Sequence, residues 1–218
     1  MRKSSKVSIA VIRRLPRYYR HLSELRQQGV VRISSSALGK SMGLTASQIR
    51  QDLFCFGGFG QQGYGYNVEN LRDEIGDILG INRGHNVVVL GAGNLGRALI
   101  ENFKFGNNGF RLEAAFDVNA DMVGTKLAGV PVFHSDELES YLGAHRVDVG
   151  VLTVPRAAAA SMAERLVQGG VKGIWNFTNT ELRLDDADVV VENVHFADSL
   201  LTLSYMISES GEEEEGES

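Results

Sequence analysis

Two different spacings of hydrophobic residues divide the chain near residue 83. Before that point apolar residues recur every three or four positions, which is the period of helices that pack on one face. After it, short β-branched runs alternate with amphipathic stretches, a pattern that predicts an α/β protein with parallel strands joined by helices. The predicted helices are residues 8–27, 35–42, 45–53, 69–82, 97–105 and 156–168, and the predicted strands are residues 86–90, 111–116, 147–154 and 173–177.

The second and third predicted helices are separated by a short turn that contains Gly43, which is the arrangement of a helix-turn-helix. Thr45 and Gln48 have the spacing of a capping box, so the third helix is predicted to start at Thr45. The apolar positions of this helix can face inward. Its outward positions lie near the helix N-terminus, where arginine can read guanine and glutamine can read adenine. These outward residues are Ser47, Gln48, Arg50 and Gln51.

Residues 56–68 alternate glycine with aromatic and amide residues. Such a composition allows tight turns and predicts the wing of a winged helix, with Tyr64, Tyr66 and Val68 on a hairpin strand. Pro16 is expected to split the first helix into a short entry turn and a helix that begins near it. A protein-interaction domain with a flexible hairpin stays open as the alternative.

The strand at residues 86–90 leads into a glycine-rich turn with the pattern G-x-G-x-x-G. Glycine permits the tight turn, the close approach of a pyrophosphate and the packing of helix on strand, and the pyrophosphate meets the positive end of that helix. The next strand ends at Asp117, 21 residues after Gly96, where a carboxylate can bind the adenosine ribose. Asp117 and the uncharged Val118 favour NAD over NADP. The cofactor residues predicted in the turn are Gly91, Ala92, Gly93, Asn94, Leu95 and Gly96.

Two later strands continue a Rossmann-type doubly wound parallel sheet. Ligands of such sheets bind at the carboxyl ends of the strands, so the residues there are expected to line the nicotinamide site. An oxidoreductase would also need a catalytic acid or base and a substrate domain, for which too few residues follow position 180. His134 and His195 are expected to be surface or capping histidines, and the chain is predicted not to be an enzyme. The strand-end residues are Thr153, Val154, Pro155, Asn176 and Phe177.

Charge is distributed unevenly over the 218 residues, whose net charge is −5. Residues 1–83 hold 13 Lys and Arg against 6 Asp and Glu, a net +7, which leaves −12 on the remainder. The basic part is the one suited to a polyanion such as DNA. The composition is that of a globular protein with two domains, and without a signal-peptide core or a long apolar run we expect a cytoplasmic location.

The C-terminal residues form two segments with different compositions. Residues 193–210 predict a helix with more apolar surface than a lone tail helix carries, which favours pairing with a second subunit over packing on its own domain. Residues 211–218 contain four consecutive glutamates and are expected to be a disordered acidic tail. The predicted boundaries of the preceding domains are 1–82 for DNA binding and 83–192 for the nucleotide. Cys55, between two phenylalanines, is expected to be buried and inert.

The motifs at residues 14–20, 44–52, 57–66 and 91–96 together resemble the Rex family of redox-sensing transcriptional repressors. The resemblance implies a homodimer that binds palindromic operator DNA, with NAD(H) in its Rossmann domains and a C-terminal helix exchanged between subunits. It also implies that NADH releases the protein from the operator, so that the NADH/NAD⁺ ratio is sensed. No metal site is expected. The expected DNA-binding residues are Arg14, Arg17, Tyr18, Thr45, Ser47, Gln48, Arg50, Gln51, Phe59, Gln61 and Tyr64.

Some members of this family use a tyrosine, an aspartate and an arginine as a redox switch. The corresponding positions here are Asn102, His195 and Arg20, so the sequence departs from that pattern.

An apolar nicotinamide pocket gives a different hypothesis for redox sensing, because it disfavours the positively charged ring of NAD⁺ relative to neutral NADH. The alternatives from the sequence are a small NAD-dependent oxidoreductase with an interaction module and a CoA-type binding protein on the same fold. The residues expected to form the apolar pocket are Val154, Pro155, Phe177 and Phe196.

Overall fold

The computed structural model describes residues 7–57, 59, 64–184 and 188–215. Contacts along the chain divide it into two compact units, Met1–Arg83 and Gly84–Ser218. The division falls one residue from the predicted boundary, at the point where the hydrophobic spacing changes.

The described residues of the first unit form four helices and a two-stranded antiparallel ribbon. Tyr18, Leu38, Ile49 and Ile75 come from four different helices and are fully buried together, so one core holds all of the helices. The described elements are α1 (Ile9–Gln27), β1 (Arg32–Ile33), α2 (Ser35–Met42), α3 (Ala46–Phe54), β2 (Tyr66–Asn67) and α4 (Val68–Leu79), and β1 pairs with β2.

Side chains cap all four of these helices at their N-termini. The oxygens of Ser8, Ser34, Thr45 and Asn67 each accept from the backbone N–H three residues later. A cap of this kind contributes about 1 kcal/mol to the stability of the helix. Gly43 ends α2 in the left-handed conformation at φ 69°, which makes the turn between α2 and α3 possible. The helix-turn-helix is therefore specified largely by local chemistry.

Four expectations for this unit are corrected, and two of them concern α1 and α4. Pro16 lies inside the continuous helix α1, because Leu15, Tyr18 and Leu22 are buried along one face and their packing outweighs the missing N–H. Val68 begins α4 and does not extend the wing strand, since the Asn67 side chain caps the helix at that point.

The other two corrections concern α3. Thr45 caps α3 as predicted, but the Gln48 side chain donates to Asp52 and does not return to Thr45. Cys55 is exposed, because it follows the last residue of α3 and its thiol turns back to the Gln51 carbonyl oxygen at 3.3 Å.

In the second unit, the residues that the structure describes form a seven-stranded sheet with helices on both faces. Its strand order is β5-β6-β4-β3-β7-β8-β9, and the pairs are parallel except for β5 with β6. Chain order therefore reverses between β3 and β7, as in Rossmann folds. The elements are β3 (His85–Leu90), α5 (Asn94–Asn102), β4 (Phe110–Asp117), β5 (Lys126–Leu127), β6 (Val130–His134), α6 (Leu138–Ala144), β7 (Val149–Leu152), α7 (Arg156–Gln168), β8 (Gly173–Asn176), β9 (Val190–Asn193) and α8 (Phe196–Glu215).

Both faces of the central strand β3 are covered. Val87 and Val89 pack into the core on the α5 side, whereas Val88 and Leu90 pack into the core that contains α6 and α7. This explains the uninterrupted apolar run in the sequence, since a strand buried on both faces has no polar alternation.

Several boundaries differ from the sequence predictions. The helix after β3 begins at Asn94, inside the glycine motif, and the strand predicted at residues 147–154 is limited to Val149–Leu152. The elements β5, β6, α6 and β9 were not predicted. Helix α8 continues to Glu215, so the expected disordered tail is wrong for residues 211–215, and residues 216–218 lie outside the described part.

An ion pair between Glu139 on α6 and Arg165 on α7 joins two helices on one face of the sheet. Arg165 donates to both carboxylate oxygens of Glu139 and also to the Ser135 carbonyl oxygen at 2.7 Å. The hydrogen bonds from Arg165 lower the pKa of Glu139 to about 2. A carboxylate whose pKa is depressed stabilises the fold above its unfolded pKa of about 4.3, and this stabilisation is lost as the pH falls toward its folded pKa.

We expect Glu139→Gln to reduce the free energy of unfolding at neutral pH by less than about 1 kcal/mol, since the carboxylate is half-exposed. The difference from the wild type should shrink as the pH falls from about 4.5 to about 2, the window in which wild-type Glu139 becomes protonated. Urea unfolding at several pH values measures this difference in the free energy of unfolding. The exposed Glu164 on α7 supplies a matched Glu→Gln control, and an identical pH trend in both variants would contradict the role of the pair.

Candidate functional site

Three strand ends meet at the point where the sheet reverses. In the register of the sheet, Leu90 of β3 lies beside Phe116 of β4 and Leu152 of β7. The next residues, Gly91, Asp117 and Thr153, therefore emerge together at the carboxyl edge. This is the position at which doubly wound sheets bind their ligands.

The glycine turn at this edge is packed too tightly for larger residues. A Cβ on Gly96 would lie 1.8 Å from the Gly91 carbonyl oxygen, and one on Gly91, at φ 97°, would lie 2.9 Å from the backbone of Thr153. The Thr153 hydroxyl donates to the Gly91 carbonyl oxygen at 2.7 Å and also lies 3.0 Å from that of Leu90. Two of the three fingerprint glycines are thus required by the packing of the turn itself.

Asp117 is held against the same turn. One carboxylate oxygen accepts from the Ala92 N–H and the other accepts from the Asn119 N–H at 2.8 Å. Each carboxylate oxygen has a second lone pair, so Asp117 can still accept a hydrogen bond from a ribose hydroxyl. The contact explains how a residue 25 positions from Ala92 comes to lie beside the glycine turn.

Helix α5 presents its N-terminus to this turn. Gly93 is the N-cap residue, and among the described residues no side chain caps the helix. The first amides of a helix lack intrahelical partners and carry partial positive charge. They are therefore available to a pyrophosphate group.

A cavity of about 580 Å³ opens beside the turn, within the range of nucleotide-sized pockets. It is lined by seven of the predicted residues, which are Gly91, Gly93, Asp117, Val118, Thr153, Val154 and Pro155. Sequence reasoning missed six others, which belong to no recognised ligand motif. These are Leu90, Phe116, Ser135, Leu138, Ala158 and Met162.

The remaining predicted cofactor residues lie outside this lining. Asn176 is buried, and its amide donates to the Thr180 carbonyl oxygen and to Asn193, so its predicted ligand role is corrected to a structural one. Phe177 is also buried, with ring centroids 4.6 Å from Trp175 and 5.9 Å from Phe196. Ala92, Asn94, Leu95 and Gly96 belong to the turn and to the start of α5.

Two of the candidate histidine and switch positions have local partners. His134 caps the 3-10 turn that follows β6, as expected, and its ring nitrogen lies 3.3 Å from the Asp136 carboxylate. The Asn102 amide donates to the Ala98 carbonyl oxygen within α5.

Helix α3 of the first unit presents a polar outer face. Thr45, Ser47, Arg50 and Gln51 are exposed, whereas Gln48 is half-buried. The Arg50 guanidinium donates to the Ser35 hydroxyl at 3.1 Å, which directs it along the start of α2. The exposed residues can reach the base edges in a major groove from this face.

One predicted DNA-binding residue, Tyr18, is corrected, and Arg14 is bound to the same buried carboxylate as Tyr18. Tyr18 is fully buried, so its side chain cannot contact a duplex, and its hydroxyl donates to Asp52 at 2.7 Å. Arg14 donates to both carboxylate oxygens of Asp52, at 2.6 and 2.8 Å. Sequence reasoning missed Asp52, whose position between apolar residues of α3 was the available signal. Arg17 is exposed and donates to the Met42 carbonyl oxygen at the end of α2.

The wing is described only in part. Tyr64 is 71% exposed beside Arg32, which donates to its carbonyl oxygen at 3.3 Å. Phe59 is half-buried and packs against the core of the unit, so much of its ring is withdrawn from solvent. Gln61 lies outside the described residues.

Neither a metal site nor a membrane span is present in the described part of the chain. Its His, Cys, Asp and Glu side chains form no group that could hold a metal ion. Within the same residues, every helix is too short or too polar to cross a bilayer.

The helix-turn-helix and the nucleotide cavity together define a class of protein, the DNA-binding regulators that respond to a dinucleotide. A family model described as "Putative DNA-binding protein N-terminus" matches residues 6–53, and a CoA binding domain model matches residues 82–180. The chain belongs to the Rex family of redox-sensing transcriptional repressors.

Curated relatives and solved structures carry this assignment. The redox-sensing transcriptional repressor Rex of Clostridium beijerinckii is 50% identical over 210 residues, covering 96% of this chain and 99% of the relative. The Rex repressor of Thermoanaerobacter pseudethanolicus is 49% identical, covering 96% and 93%. The crystal structure of RSP with β-NAD⁺ and operator DNA is 47% identical with a TM-score of 0.88, covering 97% of each chain. RSP with β-NADH is 44% identical with a TM-score of 0.88, covering 97% of this chain and 99% of RSP.

The family and the fold class expected from the sequence are thus confirmed. The relatives are named repressors and not oxidoreductases, which also confirms the predicted class of function. The Rossmann-type unit serves in this family as part of a regulator.

Proposed function

We propose that this protein is a cytoplasmic transcriptional repressor that binds palindromic operator DNA as a homodimer and is released from it by NADH. The observation that carries the proposal is the cavity at the glycine turn, where Asp117 and the uncapped start of α5 provide for a ribose and a pyrophosphate. The same chain holds a helix-turn-helix with Ser47, Arg50 and Gln51 on its exposed face.

Asp117 selects NAD(H) over NADP(H) in this proposal. A 2′-phosphate on the ribose would meet the carboxylate that is fixed to the Ala92 and Asn119 amides. The exposed neighbour Val118 provides no compensating cation. Repulsion between the two anions therefore weakens binding of the phosphorylated cofactor.

The distinction between NADH and NAD⁺ arises at the other end of the cofactor. Val154 and Pro155 line the cavity, and the ring of Phe177, just after the carboxyl end of β8, lies 5.9 Å from that of Phe196. A positively charged nicotinamide ring is disfavoured in such surroundings relative to the neutral reduced ring. A nucleotide can change DNA binding only if it binds one of two protein states more tightly than the other. A coupling free energy of about 1–3 kcal/mol between the nucleotide site and the DNA site suffices.

Helix α8 provides the dimer contact, through exchange between subunits. Its side chains Phe196, Leu200, Leu203 and Ile207 are each more than half exposed and share one helix face. An apolar face of this extent requires a cover, and a second copy places two α3 helices on the two half-sites of a palindrome.

A titration of operator DNA with each nucleotide tests the proposal. A duplex selected from a random-sequence library by the protein serves as the probe, and fluorescence anisotropy measures its affinity. We expect NADH to lower the affinity about 5- to 150-fold and NAD⁺ to lower it much less. NADPH and acetyl-CoA arms test the ligand class, and both should leave DNA binding unchanged. Equal affinities with NADH and NAD⁺ would refute redox sensing.

A further inference from the structure

Asp52 is a buried carboxylate in the first unit to which neither the nucleotide site nor the predicted base contacts assign a role. It lies on the inner face of α3, and its side chain is 0% exposed. Arg14 donates to it from Nε at 2.6 Å and from Nη2 at 2.8 Å. The Tyr18 hydroxyl and the Gln48 amide each donate to it at 2.7 Å.

The carboxylate is ionised in this setting. Burial by itself raises the pKa of Asp52. The hydrogen bonds from Arg14, Tyr18 and Gln48 lower it by more than burial raises it, so the pKa of Asp52 lies below its usual value. A buried ion pair contributes little to stability compared with apolar residues of similar volume. Its directional bonds do, however, fix the relative placement of the groups that they join.

The bonds from Arg14 and Tyr18 join two turns of α1 to Asp52 on α3, and the bond from Gln48 holds the Asp52 carboxylate from within α3. Arg14 and Tyr18 are four residues apart on α1, and Gln48 and Asp52 are four residues apart on α3. The apolar contacts of Ile49 in the same core are not directional. The bonds to Asp52 therefore set the rotation and the height of α3 on α1.

The outward side chains of α3 depend on this setting. Ser47, Arg50 and Gln51 lie on the same short helix, and a rotation about its axis would carry each of them away from its base edge. Gln48 is half-buried, and its amide nitrogen donates one hydrogen bond to Asp52.

We propose that Asp52 is the positioning residue of the DNA-reading helix, and that Gln48 belongs to the same clamp and does not read a base. The proposal rests on operator binding as the function of the first unit. Arg14 and Tyr18 act through Asp52 and support operator binding without touching DNA.

Asp52→Asn tests the role of the charge, because asparagine keeps the size of the side chain and can still accept from Tyr18. Affinity is measured on a library-selected duplex and on a scrambled duplex of equal length, with the active fraction set by stoichiometric titration. We expect operator affinity to fall at least about tenfold while affinity for the scrambled duplex changes less than about twofold. NADH affinity should stay unchanged.

A merely structural role predicts a different result. Partial unfolding would lower the active fraction and leave the ratio of operator to scrambled affinity unchanged, and that result would overturn the proposal. Tyr18→Phe removes only one hydroxyl, and it should lower the same ratio by a smaller factor. If Asp52→Asn does not fold, the affinity ratio of Tyr18→Phe tests the positioning role of Asp52. Failure of the wild type to select any duplex would instead refute operator binding itself.

Base-substituted duplexes test the part played by Gln48. Against duplexes that each carry one changed base pair, Gln48→Ala should weaken binding by the same factor throughout. Arg50→Ala is the matched comparison and should lose discrimination at a single base pair. Loss of discrimination at one base pair in Gln48→Ala would show that Gln48 reads a base, contrary to the proposal.

Discussion

Gly96→Ala is expected to lower the affinity for NADH at least about 100-fold, which corresponds to about 2.7 kcal/mol. The added Cβ would lie 1.8 Å from the Gly91 carbonyl oxygen and 2.8 Å from the Thr153 hydroxyl oxygen. Neither the backbone oxygen nor the packed Thr153 can move without opening the turn, which would also break the contact of Asp117 with the Ala92 amide. Isothermal titration calorimetry with NADH measures the loss.

Two further alanine variants separate a clash within the glycine turn from obstruction of the bound pyrophosphate. Gly106→Ala is the control, because nothing lies within 4 Å of its Cβ, and its NADH affinity should match the wild type. Gly93→Ala also meets no protein atom within 4 Å, but Gly93 lines the cavity, so the methyl group should obstruct the pyrophosphate without disturbing the turn. All three variants should bind operator DNA without nucleotide. NADH binding by Gly96→Ala within about threefold of the wild type would contradict the site.

Leu203→Glu is expected to convert the proposed homodimer into monomers, raising its dissociation constant at least about 100-fold. Leu203 is 51% exposed in the centre of the stripe formed with Leu200 and Ile207. Burying one leucine contributes about 1.5–3 kcal/mol, it occurs twice in a symmetric dimer, and a buried unpaired carboxylate costs more. Sedimentation equilibrium measures the dissociation constant.

Operator affinity should fall together with dimerisation, since a monomer holds one half-site without the gain from the second. Thr202→Glu adds the same charge on the polar side of α8, where the Thr202 hydroxyl bonds to the Asp198 carbonyl oxygen, and it should stay dimeric. A Leu203→Glu variant that sediments as the wild type does would exclude this stripe as the subunit contact.

Local chemistry made the two central motifs predictable. The turn at Gly91 requires a positive φ, and the approach of Gly96 to it excludes a side chain, so both constraints act within six residues. The helix-turn-helix likewise follows from the Thr45 cap and the left-handed Gly43. The continuous apolar run of β3 indicated a strand buried on both faces.

Elements with weak local signals were missed. The strands β6 and β9 hold five and four residues, and Pro131 interrupts the pattern of the first. Their pairing with β4 and β8 across the sheet decides their conformation. Helix α6, with seven residues, is stabilised by packing of Leu138 and Leu142 on the sheet.

The order of residues was sufficient to indicate an N-terminal helix-turn-helix, a dinucleotide fold and the carboxylate at Asp117, because caps, glycine turns and apolar periodicity act over a few positions. It did not reveal which polar side chains face solvent. Tyr18 and Asn176 were expected to contact ligands and are buried, while Cys55 was expected to be buried and is exposed. The burial of Tyr18 depends on Asp52, a partner 34 residues away, and a hydrogen bond across that separation exists only when the helices have packed.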